Sequence, residues 1–249
     1  MEKQYYYAYS QYLKDKYGEK VYKLPVNLPV TCPNKKDGKG CLFCAEAGTG
    51  FEASDSSVSV FEQLAASRTK IEKRYHAHKF IAYFQNYTNT FLPLDRLLGY
   101  MEEASKVEDI VEISISTRPD CIRQDYLEAF YEFSSRTGIE VSIELGLQTV
   151  NYHTLMEMNR GHGLAEFIDA VLRIAPYHFP VCVHMILNLP GDTMDDAEES
   201  ARILSTLPIS MVKLHSLYIP KQCELYDKYI RGEIEICPKE EYLNRLTEF

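Results

Sequence analysis

The chain has 249 residues, of which 45% are hydrophobic and 25% are charged. This composition is typical of folded domains and excludes a mostly disordered, collagen-like or coiled-coil protein. The net charge of −9, from 27 Lys and Arg against 36 Asp and Glu, argues against broad nonspecific nucleic-acid binding, because that binding depends on neutralising phosphates. No apolar run approaches the roughly 18 residues of a membrane span, and the N-terminus lacks the apolar core of a signal peptide. We therefore expect a cytoplasmic protein with no membrane contact.

Short apolar, β-branched runs alternate with helical patterns along the chain. After a helical lead-in over about residues 1–18, we predict strands at 21–26, 80–84, 110–116, 141–147, 181–187 and 211–217, and helices at about 58–76, 94–106, 123–137, 151–175 and 194–206. This alternation predicts an α/β fold built from parallel βα units. A barrel-like (βα)6 sheet and an open doubly wound sheet both fit the pattern. In either fold, ligands bind at the C-terminal ends of the strands.

The segment at the end of the chain, residues 239–249, has the pattern of a helix with no Gly, Pro or polar tail after it. Since helices usually end with such signals, we expect residues 1–249 to form one domain of a protein that continues further.

Three of the seven cysteines, Cys32, Cys41 and Cys44, form a C-x8-C-x2-C cluster after the first strand. In a chain without a secretion signal, clustered cysteines more often bind metal or take part in catalysis than form disulfides. Structural zinc usually has four ligands in two pairs, and no second pair is nearby. An iron–sulfur cluster is held by thiolates, and three of them leave one iron open. Three ordinary loop cysteines are the remaining alternative.

Polar residues follow the second and third strands. Gln85 and Asn86 begin an amide-rich loop that is suited either to ligand contacts or to a solvated turn. Thr117 and Arg118 follow the third strand. The guanidinium of Arg118 fits a carboxylate or phosphate in a fork, or it pairs with Asp120 at the surface.

The later strands carry further candidate residues. Glu144 lies in an apolar strand, where a carboxylate is costly unless it is paired. It either accepts hydrogen bonds from a ribose hydroxyl or an ammonium group, or forms an ion pair with Arg160 or Lys213. Gln148 offers an amide beyond it, and His162 is a loop candidate. His184, Lys213 and His215 are candidates for substrate contact or proton transfer, although a lone histidine in an apolar strand is more often a packed core residue.

The cysteine loop, with Phe43 just before its last cysteine, resembles the radical S-adenosylmethionine (SAM) superfamily. The commonest spacing there is C-x3-C-x2-C. The longer spacing here, with the motifs T-C-P-N and G-C-x-F-C, is similar to the YhcC/YtqA-like group, a neighbour of the Elp3-like proteins. Further matches in order are YFQNYTNT (83–90), STRPDC (116–121), ELGLQT (144–149), NRGH (159–162), HMILNLPG (184–191) and KLH (213–215). Related proteins more often have G-L-P-G-E where this chain has N-L-P-G-D.

The resemblance implies a partial (βα)6 TIM-like barrel of parallel strands with outer helices. It implies that Cys32, Cys41 and Cys44 ligate a [4Fe-4S] cluster whose fourth iron binds SAM. One-electron reduction, from a donor such as flavodoxin or ferredoxin, would cleave SAM to a 5′-deoxyadenosyl radical that abstracts a substrate hydrogen. Resemblance to the Elp3-like group suggests a tRNA wobble uridine as the substrate.

The resemblance also assigns roles to other residues. Phe43 would contact the adenine of SAM, and the backbone near Gly191 would approach the cofactor. The other SAM contacts would be Gln85, Asn86, Thr117, Glu144, Gln148 and Arg160, with Arg160 on the carboxylate. Lys213 and His215 are the catalytic candidates. The alternative is a structural zinc or iron–sulfur module without catalysis.

Overall fold

A single parallel β-sheet organises the computed structural model, which describes residues 6–36, 38, 40–44 and 54–249. Its strands are β1 (Val21–Val26), β2 (Lys79–Phe84), β3 (Ile110–Thr117), β4 (Glu140–Gln148), β5 (Val181–Ile186) and β6 (Met211–His215). They are hydrogen-bonded in sequence order, and every neighbouring pair is parallel. In the part of the chain that the structure describes, no pair joins β1 to β6.

The sheet curves into a half-barrel with helices around it, which confirms the predicted partial (βα)6 TIM-like barrel. The open doubly wound alternative is wrong, because that fold requires the strand order to reverse at a switch point. Here each strand pairs with the next in sequence, so the sheet curls in one direction.

The helices connect the strands and cover the sheet. Within the described residues they are α1 (Tyr9–Tyr17), α2 (Pro33–Lys36), α3 (Val60–Tyr75), α4 (Leu94–Ser105), α5 (Gln124–Thr137), α6 (Tyr152–Glu157), α7 (Leu164–Ile174), α8 (Met194–Ser205), α9 (Glu224–Ile230) and α10 (Lys239–Glu248). No helix among the described residues is both long enough and apolar enough to cross a membrane.

The apolar core lies between the sheet and the outer helices. Helix α5 shows how the sequence builds it, because Tyr126, Leu127, Phe130 and Phe133 fall on one helical face and all four are buried. That spacing is the one expected of an amphipathic helix packed on a core. The apolar side chains thus pack on the outer face of the sheet, and other residues occupy its inner face.

One predicted helix is wrong, and the last two strands end earlier than predicted, at Ile186 and His215. Residues 151–175 are not one helix, because α6 ends at Glu157 and α7 begins at Leu164. Between them Asn159 and Gly161 have φ angles of 51° and 75°, a left-handed conformation that breaks a helix. Helix α9 was not predicted. Residues 1–5 of the expected lead-in lie outside the described residues, and α1 occupies its second half.

Helix α1 is attached to polar residues of the sheet. The hydroxyl oxygen of Tyr17 lies 2.7 Å from a carboxylate oxygen of Glu112 and 2.8 Å from one of Glu140, so the two acceptors share its single proton. Lys16 forms ion pairs with the same two carboxylates. These carboxylates therefore have partners despite their position inside a sheet.

We expect Tyr17→Phe to lower the free energy of unfolding by about 2 kcal/mol, because a hydrogen bond to a charged group contributes roughly 1.5–3 kcal/mol. Urea denaturation followed by circular dichroism measures it. Tyr131→Phe is the matched control, because Tyr131 is 52% exposed. Equal stability of the two variants would contradict the anchoring role of Tyr17.

Candidate functional site

The carboxyl ends of the strands surround a cavity of about 360 Å³. Cys32, Cys41 and Cys44 all line it, although Cys32 and Cys44 are twelve positions apart in the sequence. The cavity thus lies where ligands bind in parallel α/β barrels. Of the other predicted site residues, those that line the cavity are Phe43, Gln85, Thr117, Glu144, Gln148, Arg160, Lys213 and His215.

Two predicted site residues are not among those that line the cavity. Asn86 is buried, and its amide donates to the side chain of Asn27 at 2.6 Å. Gly191 has a φ angle of 93°, and a side chain there would meet the hydroxyl of Thr154. Asn86 therefore braces the loop after β2, and Gly191 shapes the turn before α8.

The cysteine loop is fixed against the turn between α6 and α7. The Asn34 amide donates to the carbonyl of Asn159 at 2.7 Å, and the Asn159 amide donates to the carbonyl of Gly40 at 2.8 Å. The backbone N–H of Leu42 donates to the carbonyl of Met158 at 3.1 Å. These reciprocal bonds hold the loop with its thiols toward the cavity.

Two buried arginines contact the cysteine sulfur atoms. Arg118 Nη1 lies 3.5 Å from the sulfur of Cys32, and Arg160 Nη1 lies 3.6 Å from that of Cys41. Arg118 also pairs with Asp120, the alternative to a ligand fork, through hydrogen bonds from Nε and Nη2 to its two carboxylate oxygens. The guanidinium is not at the surface, because Arg118 is only 3% exposed. Cationic donors beside a sulfur favour its thiolate form, which is the form that binds metals.

The thiols of Cys41 and Cys44 interact with each other. A hydrogen bond from Cys44, together with the charge and hydrogen bond of Arg160, lowers the pKa of Cys41 below its ordinary value. The same hydrogen bond, together with burial, raises the pKa of Cys44. Binding of a metal here would require both thiols to lose their protons.

The donor set fits an iron–sulfur cluster better than a single ion. Around one zinc, with Zn–S bonds of about 2.3 Å, tetrahedral thiolates lie about 4 Å apart. The three thiols of the cysteine loop do not all lie within 4.8 Å of one another. In the described part of the chain, the group that does meet this distance is Glu144, Cys182 and His184. Arg160 Nε is buried without a hydrogen-bond partner among the described residues, so a donor remains for a bound ligand.

Gly161 allows the cysteine loop and the α6–α7 turn to pack closely. A Cβ atom there would lie 2.3 Å from the side-chain oxygen of Asn34 and 2.9 Å from Arg118 Nη2. Arg118 in addition donates to the Gly161 carbonyl at 3.0 Å. The contact therefore requires both a missing side chain and a left-handed backbone.

Gly161→Ala is expected to destabilise the fold by about 3 kcal/mol, since a left-handed non-glycine residue alone costs about 1–2 kcal/mol and the clash adds to it. The urea midpoint measures the effect. The control is Gly138→Ala, where φ is 73° but no atom lies within 4 Å of the new Cβ. If Gly138→Ala is as damaging, the close contact at Gly161 has no energetic role.

Glu144 has partners that differ from the predicted Arg160 or Lys213. One carboxylate oxygen accepts hydrogen bonds from Lys23 and from Ser114, and the other accepts from Tyr83 and His184. Burial alone would raise the pKa of Glu144, but the hydrogen bond from His184 and the charge of Lys23 hold it well below its usual value. The carboxylate of Glu144 thus accepts four hydrogen bonds in this structure, and its contact with SAM stays a prediction.

His184 and His215 are not isolated core residues. His184 Nε2 lies 2.6 Å from Glu144, and its Nδ1 lies 3.1 Å from His215 Nε2. Burial, together with the neighbouring His184 and Lys213, lowers the pKa of His215 to about 4. His215 is therefore a neutral imidazole at neutral pH.

Sequence reasoning missed three residues of the site. Tyr83 and Lys23 bind Glu144 from β2 and β1. Gly146 lets Arg160 approach the strand, because a Cβ atom there would lie 2.7 Å from Arg160 Nη2. A lone glycine inside a strand is a signal for such an approach, whereas the partners of Glu144 lie too far along the chain to be recognised.

Comparison with known proteins identifies a family and relatives for this chain. The family model of the radical SAM superfamily matches residues 26–204. MJ0486 of Methanocaldococcus jannaschii and YtqA of Bacillus subtilis are each 32% identical to this chain, over 97% and 98% of it and over 74% and 76% of their own lengths. The tRNA uridine(34) acetyltransferase of M. jannaschii is 25% identical over 76% of this chain and 37% of its own.

Two solved structures share the fold. Elp3 of Methanocaldococcus infernus matches with a TM-score of 0.69 at 17% identity, over 92% of this chain and 53% of the solved one. The coproporphyrinogen III oxidase HemN of Escherichia coli matches with a TM-score of 0.60 at 16% identity, over 97% of this chain and 55% of the solved one. This chain thus spans about half of each solved chain. By its family model and its relatives, the chain belongs to the radical SAM superfamily, whose enzymes use a [4Fe-4S] cluster and SAM.

Proposed function

We propose that this protein uses Cys32, Cys41 and Cys44 to hold the cluster and abstracts a hydrogen atom from a tRNA wobble uridine. The observation that carries the proposal is that the three cysteines line one cavity, with Arg118 and Arg160 donating to two of their sulfur atoms. We further propose that residues 1–249 form one radical SAM core that works in the cytoplasm, where thiols stay reduced.

Different residues around the cavity would bind different parts of SAM. When bound, the reduced cluster and SAM supply a 5′-deoxyadenosyl radical. Arg160, with its unpartnered Nε, would bind the carboxylate of SAM, and Phe43 would pack on its adenine. Gln85, Thr117 and Gln148 line the same cavity and would orient the rest of the cofactor.

The tRNA proposal rests on a relative and on local charge. The relative at 25% identity is named for its action on tRNA uridine 34. The side chains that line the cavity include four cationic ones, Lys35, Arg118, Arg160 and Lys213, and one carboxylate, Glu144. This local positive charge suits an anionic substrate even though the whole chain is acidic, because phosphates are bound by Lys and Arg. A flavodoxin or ferredoxin is the electron donor that we propose.

Electron paramagnetic resonance of the anaerobically reconstituted and reduced protein tests the cofactor part. We expect a [4Fe-4S] signal that changes when SAM is added, together with release of 5′-deoxyadenosine. A signal indifferent to SAM, or bound zinc in place of iron, would support the structural module instead. Mass spectrometry of nucleosides from incubated tRNA tests the substrate, and unchanged uridine 34 would exclude it.

A further inference from the structure

Three side chains that line the cavity form a continuous hydrogen-bonded chain. Glu144, which is 2% exposed, is at one end, His184 is in the middle, and His215 is at the other end. The rings of the two histidines stack with their centroids 5.1 Å apart. Such a carboxylate–imidazole pair fixes the tautomer of the histidine beyond it.

The ionised carboxylate determines where each proton lies. Because Glu144 can only accept hydrogen bonds, Nε2 of His184 carries a proton. In the tautomer of His184 with its proton on Nε2, Nδ1 accepts the proton that His215 carries on Nε2, 3.1 Å away. The Nδ1 atom of His215 is then left with a lone pair, on a side chain that lines the cavity.

We propose that His215 Nδ1 accepts a proton from a substrate N–H or O–H group, through a relay in which His184 and Glu144 are positioning residues. The substrate atom keeps the electron pair of the broken bond. As Nδ1 of His215 gains the proton, the proton on Nε2 of His215 passes to Nδ1 of His184. The positive charge thus ends on His184, 2.6 Å from Glu144, and no electron is gained or lost.

The relay adds a proton-transfer step to the proposed function. It rests on that function, because the function identifies the cavity as the place where the substrate reacts. Abstraction of a whole hydrogen atom by a carbon radical needs no base from the protein. A base in the same cavity therefore indicates a substrate with an acidic N–H or O–H close to the carbon that loses hydrogen.

A metal ion held by Glu144, Cys182 and His184 is the competing interpretation, since their donor atoms lie within 4.8 Å of one another. Three observations oppose it. Both oxygens of Glu144 already accept two hydrogen bonds each. The ammonium group of Lys23 is one of those donors and would repel a cation. Burial also raises the pKa of Cys182 to about 12, so it is a thiol rather than a thiolate ligand.

The groups that face the relay come from several strands. Lys213 on β6 and Glu144 on β4 act on the pKa of His215, as does His184 itself. Lys23 on β1 and Tyr83 on β2 reach this group through their hydrogen bonds to Glu144, and Cys182 on β5 lies beside Glu144 and His184. Glu144 is the anion among them that contacts an imidazole, so the relay places the transferred positive charge beside it.

Nitrogen-15 NMR of histidine-labelled, cluster-reconstituted protein tests the relay without any substrate. We expect Nε2 of both rings to carry a proton and Nδ1 of His215 to carry none, with signals assigned by His184→Gln and His215→Gln. In His184→Gln, we expect His215 to become a mixture of tautomers. His178→Asn is the control, because His178 is exposed and its φ of 57° suits asparagine. An imidazolium or an Nδ1–H tautomer at His215 would overturn the relay, as would loss of the His184 N–H on addition of Zn²⁺.

Turnover provides a second readout. With reduced enzyme, SAM and tRNA, we expect His215→Gln to lower the ratio of modified nucleoside to 5′-deoxyadenosine by about 100-fold, the usual scale of acid–base catalysis. An unchanged ratio overturns the relay. If the wild type modifies no tRNA while the NMR signals are as expected, the substrate proposal fails and the relay stands.

Discussion

Cys41→Ala is expected to remove the cluster and with it the formation of 5′-deoxyadenosine. Loss of a residue that only orients a metal ligand costs about 10–100-fold in affinity or activity, so loss of a ligand should exceed about 100-fold. Cys41 is 4% exposed and has Arg160 and Asn34 as donors to its sulfur, so no water can take its place easily. Iron content and 5′-deoxyadenosine after anaerobic reconstitution measure the effect.

Cys237→Ala is the matched control for this variant. Cys237 is a free cysteine that is not among the residues lining the cavity, so we expect unchanged iron and unchanged SAM cleavage. Full iron content in Cys41→Ala would show that the cluster is held elsewhere. Equal loss in both variants would point to a general effect of removing thiols.

Glu144→Gln is expected to have the largest effect on stability, about 3–5 kcal/mol, the usual cost of breaking a buried ion pair by removing one partner. The amide no longer compensates the charge of Lys23, whose side chain is 21% exposed. The N–H group of the new amide would also face side chains that donate hydrogen bonds to Glu144 in the wild type. Urea denaturation at neutral pH gives the difference in free energy of unfolding.

The pH dependence of this difference follows from the direction of the pKa shift. The pKa of Glu144 is lower in the folded state than its ordinary 4.5, so its ionised form stabilises the fold fully above that value. This stabilisation is lost as the pH falls through the folded-state pKa. The difference in free energy of unfolding between wild type and Glu144→Gln should therefore be constant near neutral pH and become smaller in acid. Glu132→Gln, at an exposed position, should show no gap, and a loss below about 1 kcal/mol in Glu144→Gln would contradict the buried pair.

Sequence patterns predicted the strands because burial on both faces gives each strand a dense apolar run. The run around Ile113 and Ile115, both fully buried, is an example. Helices with one apolar face were predicted for the same reason. The split between α6 and α7 was missed because it depends on the left-handed backbone at Asn159 and Gly161, which a periodic pattern does not record.

The polar interior could be predicted only in part. The parity of residues along β5 and β6 suggests that His184 and His215 face the interior, but their hydrogen bond depends on the register. In that register His184 pairs with Lys213, and His215 lies opposite Ile186. The ion pair of Glu144 with Lys23 joins residues 121 positions apart, and it exists because the curved sheet brings β1 and β4 to the same interior. No local pattern contains that information.

The sheet keeps two unpaired edges, because no pair joins β1 to β6 among the described residues. An exposed strand edge can serve as a template for pairing with another chain. Pro25 on β1 lacks the N–H group that such pairing needs, and β6 has only five residues. Both edge strands are therefore poor templates for the association of two molecules through their sheets.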